Sequence, residues 1–209
     1  MPARLSPGTP REITAGLAPA DREAVLGAGP PPEPRAPVPW ALRVVRPATA
    51  DAHLLAHWMN TAHVARFWDQ AWPRERWDAA LAAQLDGTFS RPYLVLQDGV
   101  PLAYLEIYRA ARDLVARHYD AHPADLGVHV AIGEPDAVNR GFGRALLRAV
   151  AGGLLAADPA CRRVVAEPDV RNEAAVRAFV AAGYELRREC DFGYKRAALV
   201  EHARPAAGA

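Results

Sequence analysis

Residues 125–184 constrain the fold more than any other stretch. They read as strand, glycine turn, helix, strand, asparagine turn, helix: DLGVHVAIGEPDAVNRGFGRALLRAV, then, after a link, RRVVAEPDVRNEAAVRAFVAAGY. Such a core, joined to antiparallel strands on either side, argues a mixed α/β sheet. Its first turn, Arg140-Gly141-Phe142-Gly143-Arg144-Ala145, opens a helix straight after a strand and loop. Glycines let a backbone approach an anion, and first-turn N–H groups point at it. Arg140 and Arg144 add charge, so the segment suits a pyrophosphate. The same glycines also fit a plain tight turn.

The chain around this core follows the same rules. Residues 1–39 hold ten of the nineteen prolines, and their apolar residues are mostly alanine. A segment of that kind buries too little surface to offset ordering entropy, so a disordered tail is expected, with a partner-docking arm as the other reading. One folded domain should span residues 40–202, and residues 203–209 should be loose. Strand one is expected at 41–47. Asp51 is expected to cap a helix carrying Trp58, Thr61 a second, and Pro73 to begin a third that stops at Gly87. Asp98-Gly99 signals a hairpin. In its return strand Ala103, Leu105 and Ile107 share one face, and Tyr104, Glu106 and Tyr108 the other. Residues 109–124 are polar and irregular. After the core helix, 163–166 reads as a short buried strand. Asn172 should cap the next helix, with Ala175, Val176, Phe179 and Val180 inward and Gly183 ending it. A strand pair closes the chain.

Bulk numbers narrow the function. A formal charge of +1 gives no nucleic-acid footprint. Two cysteines without CxxC spacing fit a reducing cytoplasm. No run approaches the roughly 20 apolar residues of a membrane helix. No basic region followed by an apolar core opens the chain, so no signal peptide is expected. His53/His57 and His118/His122 have helical spacing but no HExxH pattern, and no metal is expected.

The spacing from Arg140 through Gly143 to Ala145 resembles the coenzyme A pyrophosphate loop of the GNAT acyltransferase superfamily. Asn172, Ala175, Phe179, Gly183 and Tyr184 are similar to its downstream pattern. His57-Trp58-Met59-Asn60, His63-Val64 and Phe67-Trp68 resemble a signature of the hydroxamate-siderophore acyltransferases within it. So do Tyr104, Glu106 and Tyr108, then Asp113, His118-Tyr119-Asp120, Gly127-Val128-His129 and Glu167-Pro168-Asp169-Val170-Arg171-Asn172. The resemblance implies a mostly antiparallel, twisted mixed sheet, flanked by helices, with central parallel strands that splay apart.

The resemblance also implies roles. His129 and Asp169 would bind and deprotonate the acceptor, a His near its ordinary pKa being oriented by a nearby carboxylate. By themselves, His129 also reads as a satisfied core histidine and Asp169 as a turn residue. Acyl-coenzyme A, acetyl most simply, would be held by Val130, Ile132, Arg140, Gly141, Phe142, Gly143, Arg144, Ala145, Asn172 and Phe179. Many family members place a tyrosine where Phe179 stands, to protonate the leaving thiolate, which leaves that acid unassigned. Trp58, Asn60, His63, Trp68, Glu106, Tyr108 and Asp120 would face the acceptor, with core packing or an ion pair as the plainer reading for the aromatics and carboxylates.

The implied reaction is direct transfer to an N-hydroxylated lysine, ornithine or cadaverine side chain in hydroxamate siderophore assembly. A lysine-like amine, with a pKa of roughly 10.4, is mostly protonated at neutral pH. A hydroxylamine is less basic and arrives neutral. Two alternatives stand beside this. One is an aminoglycoside 6′-N-acetyltransferase with an acidic cleft from Glu106, Asp113, Asp120 and Asp125. The other is an acyl-coenzyme A-binding protein without turnover. The partners expected are small molecules, with no nucleic acid or membrane, in a monomer or homodimer.

Overall fold

The computed structural model describes residues 19–34, 39–138 and 140–205. Helix α1 (Pro19–Gly27) precedes strand β1 (Trp40–Val44). Helices α2 (Ala50–Met59), α3 (Ala62–Trp68) and α4 (Arg74–Asp86) follow. Then come β2 (Ser90–Gln97), β3 (Val100–Arg109), β4 (Leu126–Ile132), α5 (Phe142–Ala157), β5 (Arg163–Ala166), α6 (Glu173–Ala181), β6 (Glu185–Asp191) and β7 (Arg196–Ala203). Between β3 and β4 the chain makes two 3-10 turns, Ala110–Arg112 and Leu114–His118.

The seven strands form one sheet in the order β1-β2-β3-β4-β5-β7-β6. Every pairing is antiparallel except β4 with β5. That parallel ladder has only the pairs Leu126–Val164 and Gly127–Val165. Beyond them β4 runs on to Ile132 without a β5 partner, so the sheet splays at its centre.

Alternation along β3 sorts the two layers. Ala103, Leu105 and Ile107 join the apolar cluster under α5 and α6, with Leu146, Val150, Leu154 and Phe179. Tyr104 joins the cluster of α2 and α4 on the other face, with Leu55, Trp58, Met59, Trp77 and Leu81. Tyr108 belongs to a third cluster, with Val115, Val165 and Phe192. The polar site described below lies on the face shared by the last two. The Asp98-Gly99 turn has φ of 52° and 81°, both left-handed, as a two-residue hairpin requires.

Several local expectations shift. Thr49, not Asp51, caps α2, its hydroxyl accepting from Ala52 N. Asp51 instead forms a two-point ion pair with Arg43 at 2.7 and 2.8 Å. Val180 is 48% exposed, because α6 turns only one edge, led by Phe179, into the core.

The expectation of a disordered tail through residue 39 does not hold where the structure describes it. The ADREAVL run forms α1, Val25 is buried, and the guanidinium of the buried Arg109 donates to the carbonyls of Ala28, Gly29 and Pro30 at 2.8–3.0 Å. A charged donor thus satisfies a stretch that alanine and proline could not anchor by burial. Likewise β7 reaches Ala203, and Arg204 donates to Cys161 O, Leu155 O and Asp158 O. Residues 1–18, 35–38 and 206–209, the rest of the two expected loose ends, lie outside the described residues.

Candidate active site

Two adjoining cavities meet at the splay. The first, of about 90 Å³, is lined by His129, Glu167, Asp169, Lys195, Trp68 and Phe179, among others. The second, of about 480 Å³, runs past His63, Val130, Ile132, Gly141, Gly143 and Arg144. Phe67, Trp68, Val130, Asn172 and Ala175 line both.

The second cavity ends at α5. Gly141 precedes the helix at φ 81°, a left-handed conformation that suits glycine, and no side chain caps the helix. Its first N–H groups therefore remain available to an anion. Arg144 lines the approach. Arg140 is exposed, Ala145 lines a shallow neighbouring groove, and the Phe142 side chain turns away to pack edge-on against Trp40. Of these, Phe142 contributes its backbone to the open first turn, whereas Ala145 N already donates to Gly141 O at 3.1 Å. Asn172 caps α6, accepting from Ala175 N at 3.2 Å. Phe179 is buried against Tyr184 at the wall of the first cavity.

His129 is the centre of the first cavity. Its Nδ1 lies 3.1 Å from Glu106 Oε2 and its Nε2 2.6 Å from Glu167 Oε1. Glu106 is fixed in turn by Gln84 Nε2, which donates to Oε1 at 2.5 Å. The Tyr108 hydroxyl donates to Glu167 Oε2 at 2.8 Å, and Lys195 Nζ donates to the Glu167 carbonyl at 2.6 Å. Burial alone would lower the imidazole's pKa, but Glu167 and Glu106 outweigh it and push it up to about 10. Against its own burial, Glu167 is held below the usual carboxylate range by His129 and Lys195. At neutral pH His129 is thus an imidazolium with both N–H groups committed to carboxylates. The expected orientation of this His by a nearby carboxylate comes from two of them, and they raise its pKa above the ordinary value.

His129 and Asp169 share the cavity but not a hydrogen bond. Both oxygens of Asp169 are held by Arg171, through its guanidinium at 2.6–3.1 Å and its backbone N at 2.8 Å. Those bonds hold the Asp169 carboxyl below its usual range. The carboxylates that orient His129 are Glu106 and Glu167. Glu167 went unassigned in the sequence although it opens the EPD run; it shares the strand parity of Val165, which faces the same side. Lys195 also went unassigned, and its signal was composition: it is the one lysine among 25 basic residues.

The other expected acceptor residues divide. Trp68 lines the first cavity and meets the His129 ring edge-on, centroids 6.0 Å apart. Tyr108 is fully buried and stacks on His129 at 4.6 Å, so it supports the ring from behind. Glu106 is buried and borders a third cavity, beside Trp77 and Tyr104. Trp58 is a core residue: its indole N–H donates to Glu134 Oε1 at 2.9 Å, and a Cβ on Gly133 would come within 1.9 Å of its ring. Asn60 ties α2 to the loop before α4 by donating to Ala56 O and Trp72 O. His63 sits on the second cavity, its Nε2 3.0 Å from Ile132 O.

No acidic cleft assembles from the four carboxylates considered for a polycationic acceptor. Glu106 is spent on His129, and Asp125 is fully buried beside Arg163. Asp120 is exposed and borders neither cavity, and only Asp113 lines the first. Among the described residues no group of His, Cys, Asp and Glu is arranged to hold a metal ion, and no helix is long and apolar enough to cross a membrane.

Residues 48–192 match the family model described as an acetyltransferase (GNAT) domain. The chain is 46% identical over 169 residues to a lysine N-acyltransferase, MbtK, of Mycolicibacterium paratuberculosis, covering 81% of this chain and 76% of that one. It is 34% identical over 160 residues to an N(6)-hydroxylysine O-acetyltransferase of Escherichia coli, covering 77% of this chain and 50% of that one. Among solved structures, an aminoglycoside acetyltransferase, AAC(6′)-Ib, in complex with coenzyme A superposes with a TM-score of 0.68 at 22% identity, over 79% of this chain and 95% of that one.

Proposed function

Because the chain belongs to the GNAT acetyltransferase family and is an acyltransferase, we propose that it acylates the side-chain nitrogen of an N-hydroxylated lysine-, ornithine- or cadaverine-type acceptor, from acyl-coenzyme A, in hydroxamate siderophore assembly. The observation that carries this reading is the junction of the two cavities at the β4/β5 splay. One is a long channel ending at an uncapped helix N-terminus, and the other a narrow chamber walled by Trp68, Phe67 and Leu114 with charged groups at fixed places. A slim aliphatic chain with a polar head fits such a chamber; a bulky polycation needs a broader, acidic one.

In this reading the pyrophosphate lies on the backbone of Gly141, Phe142, Gly143 and Arg144, with the Arg140 and Arg144 side chains neutralising it. The pantetheine runs along Val130 and Ile132 as an added strand beside β4 and passes Asn172 and Phe179. The acceptor nitrogen attacks the thioester carbonyl. Attachment to the tetrahedral carbon makes its remaining N–H acidic enough for a carboxylate to accept. Asp169, kept anionic by Arg171, is the group we assign to that proton. His129 contributes fixed positive charge to the chamber in which the oxyanion forms, and the coenzyme A thiolate then leaves. Phe179 has no proton to give it.

The test is thiol release from acetyl- and longer-chain acyl-coenzyme A with N6-hydroxylysine, N-hydroxycadaverine or kanamycin as acceptor. Turnover with the hydroxylamines is expected. Turnover with kanamycin alone, or thiol release with none of the three, overturns the reading.

A further inference from the structure

We infer that Lys195 is a specificity residue that reads a carboxylate on the acceptor, so that the substrate's far end is the zwitterionic head of an α-amino acid rather than a simple alkylammonium. The inference rests on the acyltransferase reading above and narrows its acceptor class.

Three observations carry it. First, the chain meets its need for positive charge with arginine everywhere but here: Lys195 is the one lysine among 25 basic residues. Arginine is planar and suits paired hydrogen bonds, whereas lysine is a compact point charge on a flexible stem. The position therefore favours a small, movable charge.

Second, Lys195 faces the chamber. It lines the first cavity, with its side chain 14% exposed, and its ammonium lies near the rings of Phe192 and Tyr194, 5.6 and 5.9 Å from their centroids. The β6–β7 turn that carries it is closed by Phe192 N donating to Lys195 O at 3.0 Å, which fixes the backbone below the side chain.

Third, the other charges are already spoken for. His129 also lines the chamber, but both its nitrogens are bonded to carboxylates. Arg171 is bound to Asp169. Lys195 gives one N–H to the Glu167 carbonyl at 2.6 Å, and its contact with Glu167 Oε1 is long, at 3.5 Å. An ammonium has three donors, so donor capacity remains toward the chamber. The carboxylate of Asp113 lines the same space. A positive and a negative group lining one chamber match a head that carries –CO₂⁻ and –NH₃⁺ on one carbon. An alkylammonium satisfies the negative group only and leaves its chain end against the Lys195 charge.

N6-hydroxylysine and N-hydroxycadaverine differ by that one carboxylate, so they test the assignment directly. With the full-length chain and acetyl-coenzyme A, wild type is expected to favour hydroxylysine in kcat/KM by about tenfold or more, the size of one charge-assisted hydrogen bond. Lys195→Gln should bring the ratio near unity by raising KM for hydroxylysine. Lys195→Glu should invert the ratio. A purely structural lysine would lower both activities and leave the ratio alone. Inhibition of wild type needs no variant to fold: norleucine should compete with the acceptor at least tenfold better than pentylamine.

A wild type active on both acceptors without preference, a ratio unmoved by Lys195→Gln and Lys195→Glu, or equal inhibition by norleucine and pentylamine overturns the Lys195 assignment while the acyltransferase reading stands. A wild type silent with every hydroxylamine acceptor overturns that reading, and this inference with it.

Discussion

Tyr108 occupies the space that a side chain on Gly127 would fill. The two residues are cross-strand partners on β3 and β4, and a Cβ at 127 would stand 2.1 Å from Tyr108 Cζ. The glycine lets the phenol ring lie across the strand, stack on His129 and donate to Glu167. Gly127→Ala should displace that ring and cost about 1–3 kcal/mol, as overpacked cores do, seen as a lower denaturant midpoint. A variant as stable as wild type would mean the ring has somewhere else to go.

The ion chain through His129 sets a pH window for stability. The folded pKa of His129, about 10, lies above the ordinary 6.5, so its contribution is full below 6.5 and fades as pH rises through about 10. Glu167 is shifted down from 4.5, so its contribution is present above that value and is lost on acidification. Thermal melts across that range should show a plateau through neutral pH with losses at both ends. A stability loss centred near 6.5 would contradict the charged state of His129.

Activity should follow the same state. His129 does not change charge near 6.5, so kcat/KM for a hydroxylamine acceptor should lack an acid limb there. In Glu167→Gln the imidazole loses one of its two carboxylates, and ring NMR should find its pKa moved back down towards 6.5.

The proposed roles of Asp169 and His129 should separate from cofactor binding. Asp169→Asn is expected to lower kcat by about 10²–10⁴, the range for a lost general base, while acyl-coenzyme A still binds. His129→Ala should also lower turnover, with an added loss of stability from two stranded carboxylates. Isothermal titration with coenzyme A beside thiol-release kinetics makes the comparison. Unchanged turnover in both variants would remove the assignment.

Arg144 sits at the other end, where the channel meets α5. Arg144→Ala should raise KM for acyl-coenzyme A about tenfold, with kcat nearly kept, as expected for the loss of one charge-assisted contact. A fall in kcat alone would place Arg144 elsewhere in the reaction.

Arg109 links α1 and the segment after it to the domain through three carbonyls, and it pairs with Asp158 at 3.0 Å. Arg109→Met should free residues 28–30 and expose them to limited proteolysis, at cleavage rates above wild type. Equal rates would show that burial of Val25 alone suffices.

Much of this was readable in the chain. The strand alternation of β3 and the Asp98-Gly99 turn are local signals that the structure shows, and the glycine loop before α5 makes a left-handed turn at Gly141. Asp51 misled because a good cap, Thr49, stands two residues earlier, and sequence gives no way to see Arg43 reaching across to Asp51. The helix in the proline-rich segment was hidden by its composition; its anchor, Arg109, lies some 80 positions later. The site shows the same limit. His129, Asp169 and Trp68 come together in one chamber, but the charge state of His129 depends on Glu106 and Glu167, which flank it in space from positions 23 and 38 residues away. Trp58 and Asn60 sit in a run that looks chemical, yet they brace helices. An aromatic or amide looks the same in sequence whether it faces substrate or core.

The short β4–β5 ladder also has a mechanical meaning. Strands β1–β4 and β5–β7 are two slabs joined edge to edge by the two residue pairs at one end. Such a seam resists shear poorly, because rigidity between strands grows with the number of bonds along their shared edge. A molecule seated along the open part of the seam adds the bonds that are missing. In the reading proposed above, loading the donor and stiffening the sheet between Asp169 and His129 are a single event.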